Sequence, residues 1–217
     1  MYWTLPLLLA ALAGYLSGAT PFGYFGGRLK GIDIREHGSG NIGATNVIRV
    51  CGKGVGIPVF ILDVLKGWLP AWLALHWFHA HGASAEVATS GAIVAGIAAV
   101  MGHNFTFWLK GKGGKGIATS TGALLAVAPV AVGVALVVWY ATLKLSRYVS
   151  VASMVAGLAV PVTLAVMMLR TGHWNVVLLG FGLALAVLAI VRHKANIQRL
   201  LAGTENKVGQ KKPEAAN

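Results

Sequence analysis

Apolar residues run almost unbroken over 3–27, 55–78, 86–107, 117–145, 151–169 and 174–191, with polar residues gathered between them. A helix needs about 20 residues to cross the hydrocarbon core of a bilayer. All of these stretches except 117–145 fit one crossing each. The stretch 117–145 is longer and is interrupted by Pro129, so it predicts two shorter helices, 117–127 and 130–145, that enter and return. Broken helices are tolerated at membrane depth where they line a protein cavity. The pattern predicts an all-α integral membrane protein of about seven transmembrane helices with a broken pair near Pro129.

Composition agrees. The 217 residues are 56% hydrophobic and 11% charged, with mean hydropathy +0.70, whereas soluble domains carry about 25% charged residues. The formal charge is +12, from 18 Lys and Arg against 6 Asp and Glu. No soluble domain is present to dock nucleic acid, so the positive balance fits anionic lipid headgroups and anionic substrates. Cys51, the single cysteine, forms no intrachain disulfide and is expected on the reducing side; nothing resembles a zinc site. No Lys or Arg precedes Arg28, so the basic start of a signal peptide is missing and 3–27 reads as a retained first helix.

Charge then orients the helices. Arg28, Lys30, Arg35, Arg49 and Lys53 lie in one connection, three lysines at 110–115, Lys144 and Arg147 at a bend, and Arg192, Lys194, Arg199, Lys207, Lys211 and Lys212 in the tail. Only Arg170 and Lys66 fall outside these four clusters. All four share the cytoplasmic side if 117–145 enters and returns, with the N-terminus outside and the C-terminus inside. A single crossing there would split them. No internal repeat suggests an inverted transporter architecture. Residues 1–206 read as one transmembrane domain and 207–217 as a polar, disordered tail.

Two glycine-rich turns sit among the apolar runs: Gly38-Ser39-Gly40-Asn41-Ile42-Gly43-Ala44-Thr45-Asn46 and Lys110-Gly111-Lys112-Gly113-Gly114-Lys115-Gly116. Glycine lets successive N–H groups converge on an anion, and lysine adds charge. The first turn matches G-x-G-x-x-G with Asp63 twenty positions after Gly43. No βαβ unit accompanies it and Asp63 lies in an apolar segment, which excludes a dinucleotide fold. Neither turn ends in the G-K-[ST] of a P-loop. What survives is the capacity to cradle phosphate. Ser39, Asn41, Thr45 and Asn46 offer side-chain hydrogen bonds beside Arg49, which can grip a phosphate bidentately. Thr45 and Arg49 are i,i+4 neighbours on the helix beginning near Ala44.

Near the C-terminus, Arg192, Asn196 and Arg199 share a helix face with His193 beside it, followed by Gly203-Thr204-Glu205. By itself this segment reads equally as a basic helix on anionic lipid. Asp63 and Lys66, at i,i+3 in an apolar segment, form either a functional intramembrane pair or a structural salt bridge. His76, His79, His81 and Glu86 have the irregular spacing of an interfacial loop, and the tryptophans that of interface anchors or packing.

Ser39-Gly40-Asn41-Ile42-Gly43-Ala44-Thr45-Asn46 with Arg49, Lys112-Gly113-Gly114-Lys115-Gly116-Ile117-Ala118-Thr119-Ser120, Arg147-Tyr148-Val149-Ser150, and Arg192-His193 through Asn196 and Gly203-Thr204-Glu205 closely resemble the bacterial PlsY family. Its members are integral-membrane acyl-phosphate:glycerol-3-phosphate acyltransferases. The resemblance covers about residues 5–207. It implies transfer of an acyl group from acyl phosphate to the 1-hydroxyl of glycerol 3-phosphate, giving lysophosphatidic acid and phosphate, the first step of phospholipid synthesis. It also implies a site on the cytoplasmic side of the bacterial inner membrane; neither a metal nor a nucleotide cofactor is required, and the sequence leaves open whether a soluble acyl-phosphate-forming enzyme docks on the basic face. Carried over by motif, Ser39, Arg49 and Lys112 bind the glycerol phosphate, with Asn41 and Thr45 beside them. Gly113, Gly114, Ser150 and Asn196 are expected to hold the acyl phosphate, with Lys115 and Glu205 near the site.

Acyl phosphate is an activated mixed anhydride, so positioning and electrostatic stabilisation can carry most of the catalysis without a covalent intermediate. Ser39, Lys112, His193 and Asn196 are the expected catalytic groups. The proton acceptor is either His193 or the substrate's own phosphate; the His-x4-Asp spacing of soluble glycerolipid acyltransferases is absent. An organic-phosphate transporter, a lipid phosphatase and a lipid-binding scaffold are the rival classes. One-sided polar motifs and the lack of a repeat argue against the first, and two phosphate hollows against the last.

Overall fold

A proline break and a set of small residues decide how the N-terminal half packs. The computed structural model describes residues 2–209, and every regular element among them is helical. Helices α1 (Thr4–Ala19) and α2 (Phe22–Arg28) separate at Thr20–Pro21, where proline has no N–H to continue the ladder. A short α3 (Ala44–Cys51) leads into α4 (Lys53–Ala80), whose 28 residues rise about 42 Å. α5 (Ala85–Asn104) starts at Ser84, whose hydroxyl accepts from Val87 N–H at 3.3 Å. Then come α6 (Ile117–Val127), α7 (Pro129–Ser146), α8 (Val149–Thr171), α9 (Val176–Arg192) and α10 (Lys194–Leu201).

Between helices in lipid, close backbone approach replaces the hydrophobic effect as the source of attraction. Gly14 and Gly18, one turn apart on α1, face Ala95 and Ala99 on α5. A Cβ on either glycine would lie 2.2 or 1.9 Å from the facing carbonyl oxygen. The α4–α6 contact is built the same way, with Gly67 against Thr119 O and Gly122 against Val64 O. Ile93, Val100, Leu124, Val132, Val160 and Phe181 form the main buried cluster where α5 to α9 meet. On the outside, Leu5, Leu9, Val137, Val162, Leu183 and Val187 are all at least half exposed. An apolar rim around an interior rich in glycine and alanine is the arrangement of a protein whose solvent is lipid.

Five stretches are each long and apolar enough to cross a bilayer: Thr4–Arg28, Lys53–Ala80, Ala85–Leu109, Pro129–Ser146 and Val149–Thr171. The α9–α10 pair, bent by 52°, makes a sixth. α6, with 11 residues, rises only about 16 Å, half the thickness of a hydrocarbon core. α6 and α7 together form a hairpin. Lys115, just before α6, hydrogen-bonds Asn196; Ser150, just after α7, and Asn196 both bond Glu205. The two ends of 116–149 are thus tied together through Asn196 and Glu205, and the helix break that the sequence predicts falls at Ala128–Pro129.

The Asp63–Lys66 pair is formed at 2.7 Å with both side chains buried. Lys66 Nζ also donates to Thr20 O, at the α1–α2 break, at 2.8 Å. The pair is thus a brace across a helix break, and Asp63 in addition borders the cavity described below. In the tail, residues 207–209 depart from the disorder expected of them. Val208 N–H donates to Arg147 O at 2.9 Å and the Arg147 guanidinium donates to Val208 O. The remainder of that expected tail, 210–217, lies outside the described residues.

Candidate active site

The first glycine turn is a loop whose backbone is knitted by one asparagine. Gly38 and Gly40 take left-handed φ values of 64° and 69°. Asn46 Oδ1 accepts from Ser39 N–H at 2.9 Å, and its Nδ2 donates to the carbonyls of Ile34, His37 and Asn41. Asn41 Oδ1 takes Gly43 N–H at 2.8 Å. Upstream, Arg35 donates to Asp33 from its guanidinium and its N–H and, against the opposing effect of burial, holds that carboxyl well below the usual carboxylate range. Asn46 is thus fully committed to the backbone. Ser39, Asn41, Thr45 and Arg49 border the cavity, and Arg49 forms no ion pair among the described residues.

The second turn is folded onto the end of α5. Gly113 N–H donates to Asn104 O and Gly114 N–H to His103 O, both at 3.1 Å, filling carbonyls that a helix end leaves open. A Cβ on Gly113 would sit 1.9 Å from His103 O, and one on Gly114 2.1 Å from His103 Nε2. Only glycine fits this close packing. The expectation that the Gly113 and Gly114 N–H groups hold a phosphate is corrected accordingly, because both are already bonded within the chain. One step on, Gly116, Ile117 and Ala118 border the cavity at the N-terminus of α6, which no side chain caps. Lys112 also departs from expectation: its side chain is exposed and is not in the cavity wall, whereas Lys115 is.

A polar network completes the site from the C-terminal side. The Lys115 ammonium donates to Asn196 Oδ1. Glu205 accepts from Asn196 Nδ2 at 2.6 Å, Arg199 Nε at 2.7 Å and Ser150 Oγ at 3.0 Å. Burial alone would raise the Glu205 carboxyl, but these three donors outweigh it and hold it below the ordinary carboxylate range. Burial pushes Lys115 down to about 8; Glu205 opposes this, while Arg199, Arg49 and Arg192 add to it. His193, 3% exposed, places Nδ1 2.7 Å from Ala189 O. A carbonyl only accepts, so the proton sits on Nδ1 and Nε2 is left as an acceptor.

These groups surround one cavity of about 270 Å³. Ser39, Arg49, Lys115, Ser150, His193 and Asn196 form its polar end, and Val132, Leu136, Trp139, Val160, Leu185 and Leu188 its apolar end. Both bordering carboxylates are committed, Asp63 to Lys66 and Glu205 to its three donors. Arg49 and Lys115 are left facing a hollow with an open helix N-terminus. Of the expected residues, Ser39, Asn41, Thr45, Arg49, Lys115, Ser150, His193, Asn196 and Glu205 converge there; Lys112, Gly113 and Gly114 do not. His103, beneath Gly114, escaped the sequence reading, and Arg192, placed there on a helix face with Asn196 and Arg199 but given no role, donates to Gly114 O at 2.6 Å. The adjacent polar pair His103–Asn104, ending a span just before the second turn, is the signal that could have shown the first.

Fold and cavity define an integral membrane protein with a cavity walled by cationic and apolar side chains. The family model described as glycerol-3-phosphate acyltransferase matches residues 8–203. A glycerol-3-phosphate acyltransferase of Sinorhizobium fredii is 44% identical over 209 residues, 95% of each chain. One from a Thermoanaerobacter species is 41% identical over 212 residues, covering 97% of this chain and 98% of that protein. The crystal structure of PlsY, an integral membrane glycerol 3-phosphate acyltransferase, in its glycerol 3-phosphate form superposes with a TM-score of 0.85 at 37% identity, covering 94% of this chain and 96% of that one. Its lysophosphatidic acid form gives 0.82. The chain belongs to the glycerol-3-phosphate acyltransferase family and is an acyltransferase of the membrane.

Proposed function

We propose that the donor is acyl phosphate and that the product is 1-acyl-glycerol 3-phosphate. The 1-hydroxyl oxygen of glycerol 3-phosphate attacks the acyl carbonyl carbon, the carbon–oxygen bond to phosphate breaks, and inorganic phosphate leaves with the bonding pair. The hydroxyl proton passes to His193 Nε2 or to a phosphate oxygen of the substrate. Ser39, Thr45 and Arg49 hold the glycerol phosphate. Lys115, with the N–H groups opening α6, stabilises the charge that builds on the leaving phosphate, and Ser150, Asn196 and Glu205 hold Lys115 in place. The acyl chain occupies the apolar end between Trp139 and Leu185.

The observation that carries this reading is the Lys115–Asn196–Glu205–Ser150 chain of bonds. It gathers three remote motifs around the cavity that Ser39 and Arg49 also border. The related PlsY is known with glycerol 3-phosphate and with lysophosphatidic acid, which supports the acceptor and product assigned here. Purified protein given palmitoyl phosphate and labelled glycerol 3-phosphate should form labelled lysophosphatidic acid. Turnover only with acyl-carrier-protein or coenzyme A thioesters would overturn the donor assignment.

The same reading sets the site on the cytoplasmic side of a bacterial inner membrane, with seven membrane segments, N-terminus outside and C-terminus inside. The basic residues at 110–115 and 192–199 then share a face open to a soluble enzyme that supplies acyl phosphate. Single cysteines at Lys112 and Lys194 should react with a membrane-impermeant thiol reagent from the same side; labelling from opposite sides would refute the topology.

A further inference from the structure

The second glycine turn has two sides, and each is gripped. Its N–H side is bonded to the end of α5, through Gly113 to Asn104 O and Gly114 to His103 O. Its carbonyl side faces Arg192 on the last turn of α9. Arg192 Nη2 donates to Gly114 O at 2.6 Å and lies 3.5 Å from Gly113 O, and the guanidinium sits 5.4 Å from the Phe105 ring centre. Among the described residues Arg192 Nε has no hydrogen-bond partner, and the grip is made through Nη2. Arg192 is not in the cavity wall, but its neighbour His193 and Asn196, one turn on, both are. The α9–α10 junction therefore holds the turn twice, at its backbone through Arg192 and at the Lys115 ammonium through Asn196. Without the first hold, the second would rest on one side-chain bond at the end of a flexible lysine.

We propose that Arg192 is a positioning residue for acyl transfer. By fixing the carbonyls of Gly113 and Gly114 it sets where Lys115 and the N-terminus of α6 stand against the leaving phosphate. The inference rests on the reading of Lys115 given above. Arg192 touches no reacting atom; it acts by removing freedom from groups that do, so it supports the chemical step more than substrate capture.

Two variants test it in the purified, detergent-solubilised protein. Arg192→Met keeps a side chain of similar reach against Phe105 and loses the donors. Arg192→Lys keeps one charged donor. Arg192→Met should lower kcat roughly ten- to hundredfold, the effect of losing one charge-assisted hydrogen bond at a site of chemistry, with KM for glycerol 3-phosphate within about threefold. Arg192→Lys should recover most of the loss, since a single donor suffices. Amide hydrogen exchange separates positioning from general damage: in Arg192→Met it should quicken over 111–118 and stay unchanged over α1, α4 and α8. An unchanged kcat, exchange that quickens throughout, or exchange unaltered at 111–118 would each overturn the proposal. A wild-type protein inactive with acyl phosphate would instead sink the donor assignment, leaving the exchange measurement to judge the clamp.

Discussion

The alkaline limb of the pH–rate profile should belong to Lys115. Burial leaves this ammonium with a pKa of about 8, although Glu205, carried two bonds away through Asn196, supports its charge. In the free enzyme about nine-tenths of Lys115 is then charged at pH 7 and about one-tenth at pH 9. If the charged form holds the leaving phosphate, kcat/KM should fall tenfold per pH unit above about 8, because that ratio reports the free enzyme. Bound substrate changes the sum. A unit charge about 4 Å from the ammonium is worth about 4 kcal/mol at an effective dielectric constant of about 20, and about 1.4 kcal/mol moves a titration by one pH unit. A bound phosphate dianion should therefore push the limb of kcat upward by at least about one unit. The two limbs must separate.

Two variants fix the assignment. Lys115→Arg carries a charge that persists throughout the accessible range, so the limb should vanish from kcat/KM even though a bulkier head lowers the rate at every pH. Glu205→Gln removes the anion that favours charged Lys115, so its limb should move to lower pH. The assay is release of labelled lysophosphatidic acid between pH 6 and 10, corrected for spontaneous hydrolysis of acyl phosphate. A limb that survives unchanged in Lys115→Arg would show that another group titrates, and the assignment of Lys115 to the leaving phosphate would fall with it.

Three further outcomes follow from the geometry. Arg49→Ala should raise KM for glycerol 3-phosphate about ten- to hundredfold with little change in kcat, read from initial rates at varied acceptor; an unaltered KM would remove Arg49 from that role. His193→Ala should lower kcat about a hundredfold or more if Nε2 takes the proton, whereas near-normal kcat would assign the proton to substrate phosphate. Gly18→Val forces side-chain atoms into Ala99 O, 1.9 Å from where its Cβ would stand, and should cost about 3 kcal/mol. That loss appears as a thermal midpoint in detergent lower by about 6–12 °C, and an unshifted midpoint would mean α1 and α5 part without penalty.

The apolar spans and the helix break at Pro129 were legible because both rest on local physics, a hydropathy run of sufficient length and a residue that cannot donate. So was the convergence of the polar motifs, since all of them fall in the basic segments between and after the apolar runs, where Lys115, Ser150 and His193 meet. The choice between Lys112 and Lys115 was not. Both stand in the same turn, and which of them enters the cavity depends on Gly113 and Gly114 being bonded to the carbonyls of Asn104 and His103. That contact follows from where α5 ends in space, and no spacing rule in the turn records it. The role of Arg192 was hidden for a related reason: its partner is a backbone carbonyl 78 positions away, and carbonyls leave no trace in a sequence. Asp63 and Lys66 stayed ambiguous because their other partner is again backbone, Thr20 O at a helix break.

Irregular backbone beside a membrane must have its polar groups satisfied by the protein itself, and this divides the motif residues into two kinds. Asn46 has its amide filled by four backbone groups, two in the first turn and two in the segment leading into it, and Asn41 Oδ1 accepts from Gly43 N–H. The second turn is satisfied by the end of α5 on one side and by Arg192 on the other. Among the described residues, the hydroxyls of Ser39 and Thr45 and the guanidinium of Arg49 make no hydrogen bond or ion pair, and they and the first residues of α6 border the hollow. Substituting the first kind should harm the shape of the cradle and so both substrates together; substituting the second should harm one substrate's binding or the rate alone. A residue's place in a glycine-rich motif therefore does not say what it does. The count of bonds it already makes does.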